Sequence, residues 1–583
     1  MKREPATKAW GSRTAAPASG TLLDVLRRRA RDQPRREAIT CLADGEATEA
    51  AFDYRTLDER ARSIAAGLQR GGLEGKPVLL LLPPGASYVL AFLGCIYAGA
   101  VPVPAYPPHR RRVRPAAERL ARILDDAGAR AVIGSPELLP HVRELLDDAR
   151  DVRWIVMDDH DGGRPEAWRA PRIDGDSPAF LQYTSGSTGH PRGVIVTHRN
   201  LLGNLAMIRD CYGLGPDDRG VIWLPPYHDM GLIGGVLEPL FTGFPVVLFP
   251  PLYFIQRPAR WLRAVSRYRA TISGGPDFAY ALCTRRIAPE ERARLDLRSW
   301  RVAFNGSEPI RADTLEDFRR TFAPQGFSDR AFYPCYGLAE ATLFVVGPSR
   351  PGELRRGRFD ATELRGGRAV ARDVSDPRGR TLVGCGSTFG DLELRVVDPG
   401  RCVPCAESEV GELWVRGSTV AAGYWGRPEE SAPVFGARLA DGSEERYLRT
   451  GDLGFVHGGE TFVTGRRKEL IVVRGSNHYP QDIERTVERC HPALEPASGA
   501  AFLPDEDADA VVVVQAVRRE AVRGLETSEL ARDISEAVAE RHGLRVERVV
   551  LTRATAIPRT SSGKVMRGAC RDLVASGSLE ELR

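Results

Sequence analysis

Lysine is nearly missing from this chain. Of 82 basic residues only five are lysine, namely Lys2, Lys8, Lys76, Lys468 and Lys564, and arginine supplies the rest. A lysine kept in an arginine-filled background calls for a chemical reason, because arginine carries the same charge with a different geometry. An excess of either charge is also lacking. The 77 acidic residues leave a net charge of +5, which gives no case for nucleic acid as a partner. The basic run His109-Arg-Arg-Arg-Val-Arg114 reads as a solvated loop, with a docking patch for an acidic protein as the sharper alternative. No apolar run reaches the length of a membrane span, and the stretch from Met1 to Gly20 is polar and small-residue-rich, without the apolar core of a signal peptide. No stable membrane anchor is therefore expected. The ten cysteines are scattered, and Cys402-Val-Pro-Cys405 has no second pair beside it. A loop between strands is its reading, and the chain is expected to carry free thiols in a reducing, cytoplasmic compartment.

What is present is size and alternation. At 583 residues the chain exceeds one core and predicts at least two domains. Lys76-Pro-Val-Leu-Leu-Leu-Leu-Pro83 is the continuous apolar run of a strand buried on both faces, followed by helical spacing from Ser87 to Ala98. Comparable runs recur at 130–133, 154–157, 245–249, 270–272 and 301–304, and the alternation predicts layered α/β structure with largely parallel sheets. Between Gly411 and Phe462 shorter strands and glycine turns predict an antiparallel or barrel-like subdomain. Beyond Gly465 a small α+β unit is expected. The domain reading is a tail over 1–20, a large domain over 21–465 and a small C-terminal domain over 466–583, with the boundary at Arg466–Lys468.

The densest chemical signal is Tyr183-Thr-Ser-Gly-Ser-Thr-Gly-His-Pro-Arg-Gly193, between apolar strand ends at 179–181 and 194–197. A Gly/Ser/Thr loop leaving a strand offers several N–H groups and hydroxyls to phosphate oxygens. It does not spell G-x-x-x-x-G-K-[ST], so kinase and GTPase readings lose weight. Gly306-Ser-Glu-Pro309 follows a strand at its C-terminal end, where α/β folds bind ligands. Tyr333-Pro-Cys-Tyr-Gly-Leu-Ala-Glu-Ala-Thr342, Arg449-Thr-Gly-Asp-Leu-Gly454, Gly465-Arg-Arg-Lys-Glu-Leu470 and Pro558-Arg-Thr-Ser-Ser-Gly-Lys-Val-Met566 follow in that order.

In this order the motifs resemble those of the adenylate-forming enzymes. The resemblance implies ATP bound by Ser185, Gly186, Ser187, Thr188, Gly189 and Arg192 of the loop. It also implies an adenine slot between Tyr336-Gly337 and Gly306, Ser307, Glu308 and Pro309. Asp452 and Arg466 would take the ribose, Glu340 and Thr184 would hold Mg²⁺ against the phosphates, and Lys468 would be the hinge of the small domain. Lys564 would bridge carboxylate, α-phosphate and ribose, a task that suits a compact ammonium better than a forked guanidinium. The implied reaction is attack of a carboxylate on the α-phosphorus of ATP, with loss of pyrophosphate and formation of an acyl-adenylate.

Within that superfamily, Trp223-Leu-Pro-Pro-Tyr-His-Asp-Met-Gly-Leu-Ile-Gly-Gly235 and Arg267-Tyr-Arg-Ala-Thr-Ile-Ser-Gly-Gly-Pro-Asp-Phe-Ala-Tyr280 resemble the fatty acyl-AMP ligases. So do Ala105-Tyr-Pro-Pro108, Asn477-His-Tyr-Pro-Gln-Asp-Ile-Glu484 and Leu382-Val-Gly-Cys-Gly386. That branch loads fatty acids onto acyl carrier proteins, and the resemblance implies a phosphopantetheinylated carrier acting in trans. An acyl channel is expected at His228, Met230, Gly231, Gly234, Gly274, Gly275, Asp277 and Phe278, with Gly235, Leu232 and Ile233 beside it. The Arg/Gly-rich stretch between Thr342 and Cys385, read as a surface loop or as the branch's insertion at about 350–385, is expected to disfavour CoA. Arg192 stands where many relatives carry Lys, and Asp277 where the branch usually has Asn. An acyl-CoA synthetase is the alternative enzyme, and a nucleotide-binding scaffold the alternative of another class.

Overall fold

The computed structural model describes residues 20–582 apart from 109–112, 147–150, 158–162, 185–190, 350, 353, 475, 506–507 and 561–562. The basic run at 109–114 lies largely outside the described residues.

Two parallel sheets form the body. The first has seven strands in the order Phe332–Pro334, Val302–Asn305, Ile272–Gly275, Gly220–Ile222, Val246–Leu248, Glu37–Leu42 and Thr48–Asp53, and only the last pair is antiparallel. The second places Val101–Pro104, Pro77–Leu81, Ala131–Gly134 and Arg153–Val156 side by side, all parallel. Pro77–Leu81 is buried along its whole length, as its unbroken apolar run requires. The helix Ala86–Ala98 is apolar all round and buried almost throughout, so it lies inside the body rather than on its surface. A separate hairpin pairs Pro178–Thr184 with Arg192–Thr197.

Between Glu393 and Arg466 the chain forms a five-stranded antiparallel sheet in the order Val403–Pro404, Glu393–Asp398, Gly411–Arg416, Leu448–His457, Glu460–Arg466. Its outer strands do not pair, so the antiparallel reading applies and no barrel closes. Cys402 and Cys405 flank its edge strand as free thiols.

The Arg/Gly-rich stretch is not an irregular loop. Arg356–Asp360 and Gly379–Val383 make an antiparallel hairpin that encloses a short helix, Ala361–Arg365. Four apolar residues, Phe359, Leu364, Ala369 and Leu382, anchor it on Phe455 and Phe462 of the five-stranded sheet. So few apolar positions among so many arginines and glycines carry little periodicity, which is why the sequence pattern reads as a loop.

After Arg466, Leu494–Phe502, Ala510–Val517 and Arg545–Arg553 build a three-stranded sheet flanked by the helices Pro480–Cys490, Thr527–His542 and Arg567–Ala575. Its faces pack into two apolar clusters of their own. Among the described residues no helix is long and apolar enough to cross a membrane.

Candidate active site

Strand ends from every sheet converge on one open cleft. Thr184, Arg192, His228, Asp277, Phe278, Ser307, Glu308, Pro309, Tyr336, Gly337, Glu340, Asp452, Arg466, Lys468 and Lys564 all line it. Ser185, Gly186, Ser187, Thr188 and Gly189 lie outside the described residues.

The Val302–Asn305 strand ends in Gly306-Ser307, and Ser307 adopts φ 72°, a left-handed conformation uncommon outside glycine. A Cβ on Gly306 would come within 3.1 Å of the Cys335 sulfur, so the turn lies tight against the neighbouring strand end. Gly337 is stricter, since a Cβ there would meet the Leu343 carbonyl oxygen at 1.7 Å. Tyr336 is held by its hydroxyl, which donates to Asp452 Oδ2 at 2.7 Å.

Asp452 and Arg466 are direct cross-strand partners in the antiparallel ladder, and Arg466 Nε sits 3.2 Å from Asp452 Oδ1. Glu412, which no motif singles out, fixes the turn before them. It is buried, pairs with Arg449 at 2.6 Å and accepts from the Gly451 amide at 3.2 Å.

Glu340 rides on a single 3-10 turn, Ala339–Ala341. Burial raises its pKa above the ordinary carboxylate value. Its Oε1 accepts from the Tyr424 hydroxyl at 3.1 Å.

Lys564 lies in a turn closed by its own amide donating to Thr560 Oγ1 at 3.1 Å and the Thr560 amide donating back to the Lys564 carbonyl at 2.8 Å. Arg559 braces the turn by donating to the Gly563 carbonyl at 2.9 Å and to Ser498 Oγ at 2.7 Å. The turn reaches Phe278, whose ring lies 3.8 Å from where a Gly563 Cβ would stand. Burial and the nearby Arg466 lower the Lys564 pKa, opposed by Glu308, Asp229 and Asp452. The ammonium thus sits among three carboxylates beside one guanidinium.

Asp229, within the Trp223–Gly235 segment, is not singled out by any sequence pattern. It is 2.5 Å from His228 Nδ1 and accepts from the Met230 amide at 2.7 Å, at the start of a π-helix over Met230–Leu237. Such helices are rare and gather at functional sites. Burial opposes its charge, but His228, the Met230 amide and Lys564 together hold its pKa below the usual value.

The expected acyl-channel residues divide. Gly231, Gly235, Gly274 and Gly275 do not open a channel. A Cβ on them would strike the Pro225 carbonyl at 2.1 Å, Ile222 at 2.7 Å, the Phe304 carbonyl at 2.1 Å and the Trp223 ring at 2.6 Å respectively. They are glycines because elements pack closely there. Leu232 and Ile233 are fully buried in the main core. Only Gly234 has room, its Cβ position 3.6 Å from Leu343. With Met230 and Gly306 it lines a cavity of about 40 Å³ behind Tyr336. Asp277 is also turned away from an acyl role. Its carboxylate accepts from the Arg311 amide at 3.1 Å, from Thr314 Oγ1 at 2.8 Å and from Asn305 Nδ2 at 3.3 Å, so it holds the start of the helix Ala312–Phe322. Burial and the neighbouring Glu308 raise its pKa to about 7.

Among the described residues no group of three or more His, Cys, Asp or Glu is placed to hold a metal. Glu340 with the Thr184 hydroxyl makes too few donors for a resident ion. That donor set does fit Mg²⁺ arriving on phosphates, which uses one or two carboxylates and leaves the other positions to phosphate oxygens and water.

The chain matches known proteins along most of its length. Residues 26–425 match the AMP-binding enzyme family, and residues 468–581 match the AMP domain described as Disco-interacting protein 2-like. The chain is 42% identical to the medium-chain-fatty-acid–[acyl-carrier-protein] ligase JamA of Moorena producens, covering 97% of each protein. The crystal structure of the L. pneumophila fatty acyl-adenylate ligase in complex with acyl adenylate and pyrophosphate superposes with a TM-score of 0.75 at 38% identity over 97% of each chain. A structure from work on fatty acyl-adenylate ligases of E. coli and L. pneumophila gives 0.86 at 32% identity, over 96% of this chain and 98% of that one.

Proposed function

The chain belongs to the AMP-binding enzyme family, and on that premise we propose that it activates a medium- or long-chain fatty acid with ATP and passes the acyl group to an acyl carrier protein. One observation carries the reading. Lys564, contributed by the C-terminal unit, reaches the same cleft as Tyr336, Glu340, Asp452 and Arg466.

In this reading ATP lies with adenine between Tyr336-Gly337 and Ser307–Pro309, and with its ribose hydroxyls on Asp452 and Arg466. The Tyr336 hydroxyl holds the Asp452 carboxylate in place in the meantime. Thr184 and Arg192 are assigned to the triphosphate. Glu340 and Thr184 would hold Mg²⁺, which when bound neutralises phosphate charge that would otherwise repel the incoming carboxylate. The Lys564 ammonium orients that carboxylate toward the α-phosphorus and offsets the negative charge that grows there. The new bond joins a carboxylate oxygen to the α-phosphorus, and the bond to the bridging oxygen of pyrophosphate breaks.

The alkyl chain is assigned to the apolar end of the cleft, beyond His228, where Trp223, Phe278 and Leu282 line the wall and Leu252 and Ile255 are 56% and 42% exposed. Each methylene buried there contributes about 0.8 kcal/mol, which favours long chains.

The second half-reaction is assigned to a carrier phosphopantetheine rather than CoA. The 356–383 hairpin supports this by gripping the C-terminal unit, with Arg380 pairing with Asp482 at 2.9 Å and Arg365 donating to the His542 carbonyl at 3.2 Å. Division into a body over 21–465 and a lid over 466–583 that turns about Lys468 belongs to the same proposal. The separate apolar clusters of the lid support it. A cytoplasmic setting is also part of the proposal, supported by ten cysteines that are all free thiols. Incubation of the protein with Mg-ATP, a C6–C18 fatty acid panel and either CoA or a loaded carrier tests the proposal by mass spectrometry of the acyl products.

A further inference from the structure

The backbone segment at 422–425 lies against the return strand of the phosphate hairpin. Ile195 donates to the Gly423 carbonyl at 2.9 Å, Ala422 to the Ile195 carbonyl at 3.1 Å and Trp425 to the Gly193 carbonyl at 2.8 Å. Tyr424 is therefore fixed in the cleft wall between two groups of opposite charge. Its hydroxyl donates to Glu340 Oε1 at 3.1 Å, and the Arg192 guanidinium carbon lies 5.2 Å from the centre of its ring. On the far side Arg192 Nε pairs with Glu430 Oε2 at 2.9 Å. Tyr424 itself is only 6% exposed and packs edge-on against Phe435 with ring centroids 5.1 Å apart. The Ala421 amide completes the arrangement by donating to the Glu340 carbonyl at 2.9 Å.

A flexible guanidinium next to a partly buried carboxylate would ordinarily collapse onto it, because the attraction grows as water is excluded. That collapse would remove both charges from a triphosphate site. A phenol prevents it in two ways. Its hydroxyl satisfies one oxygen of the carboxylate, leaving the other for a cation, and its ring face offers the guanidinium a favourable alternative seat.

We propose that Tyr424 is a positioning residue that keeps Arg192 and Glu340 apart, so that Arg192 meets phosphate oxygens while Glu340 meets the divalent cation that accompanies them. The inference rests on the assignment of Glu340 as the cation-binding carboxylate. Sequence spacing gives no hint of it, since Tyr424 follows Glu340 by more than eighty residues and belongs to no phosphate motif.

The test compares Tyr424→Phe, which keeps the packing and ring, with Tyr424→Leu, which removes the ring face, and with Glu340→Gln. Calorimetric titration of ATP with and without Mg²⁺, and of AMP alone, separates binding from turnover. Tyr424→Phe is expected to lower the Mg²⁺-dependent part of ATP affinity on the order of tenfold, the scale of one hydrogen bond to a charged group, and to leave AMP affinity unchanged. A cycle of Arg192→Gln and Glu340→Gln, read as melting temperature without ligand, should show no coupling in the wild type and clear coupling on the Tyr424→Leu background. Unchanged Mg²⁺ dependence in Tyr424→Phe, with that dependence lost in Glu340→Gln, would overturn the role of Tyr424 and leave the cation assignment standing. Unchanged Mg²⁺ dependence in Glu340→Gln itself would overturn the assignment and the inference with it. Equal coupling on both backgrounds would overturn the separating role of the ring.

Discussion

Arg311 Nη1 lies 2.7 Å from Glu488 Oε1, and this ion pair joins the start of the Ala312–Phe322 helix to the Pro480–Cys490 helix of the C-terminal unit. The same face of that second helix carries Arg485 and Arg489, both paired with Asp313, and Asp482, paired with Arg380. The Arg311 amide is in turn held by Asp277. The charge ladder fastens the C-terminal unit in the position that brings Lys564 into the cleft. If the lid must turn for the second half-reaction, weakening the ladder should change the balance between the two. Glu488→Gln with Asp313→Asn is expected to slow adenylation several-fold while transfer from preformed acyl-AMP is unchanged or faster, with the wild type approaching the same ratio at high salt. Equal slowing of both steps would contradict this.

Lys564→Ala removes the ammonium without touching the nucleotide walls. Adenylation is expected to fall on the order of 100-fold or more, the scale of losing a charge-stabilising donor. Calorimetric affinity for ATP should stay close to that of the wild type. Full adenylation by the variant would refute the assignment of the lysine.

Asp277 carries a pH signature. Its folded-state pKa of about 7 lies above the unfolded value near 3.8. A carboxyl group raised on folding contributes stability that is fully present below the unfolded pKa and lost as pH rises through the folded one. The melting temperature of Asp277→Asn relative to wild type should therefore rise between about pH 4 and pH 7 and level off above. Chain-length preference should not change, because the carboxylate faces a helix end. A pH-independent difference in melting temperature would contradict the buried-acid reading, and a changed chain-length profile would restore the channel role.

The glycines give a further contrast. Gly231→Ala and Gly274→Ala place a methyl within 2.1 Å of a backbone carbonyl oxygen, and overpacking of this kind costs about 1–3 kcal/mol or more. Both should melt several degrees below wild type. Gly234→Ala, whose methyl would meet only an ordinary contact at 3.6 Å, should melt with the wild type. Matching thermal stability for all three would show that the backbone relaxes around the added methyl.

Much of the fold was legible because buried parallel strands announce themselves. Pro77–Leu81 is a continuous apolar run and Ala510–Val517 is broken only by Gln515; both are buried at every position, and their lengths distinguish them from helices. The 356–383 hairpin was hidden because only four apolar residues anchor it and arginine, glycine and acidic residues separate them. In the site, Asp452 and Arg466 were legible as motif residues, and the ladder explains their spacing, since they face each other across two strands joined by a short turn. Tyr424, Glu412 and Asp229 were not. Each acts by touching a residue distant in sequence or by capping an element whose type the sequence does not announce, and no local pattern encodes that. The glycines of the 231–235 and 274–275 segments misled for a related reason. An absent side chain looks the same whether it leaves space for a ligand or for a neighbouring backbone.

The most direct test of the central claim is product analysis with a fatty acid panel, Mg-ATP, and either CoA or a phosphopantetheinylated carrier protein. Acyl-AMP is expected to persist with CoA and to become acyl-carrier when the carrier is added. Rapid and complete formation of acyl-CoA would contradict it.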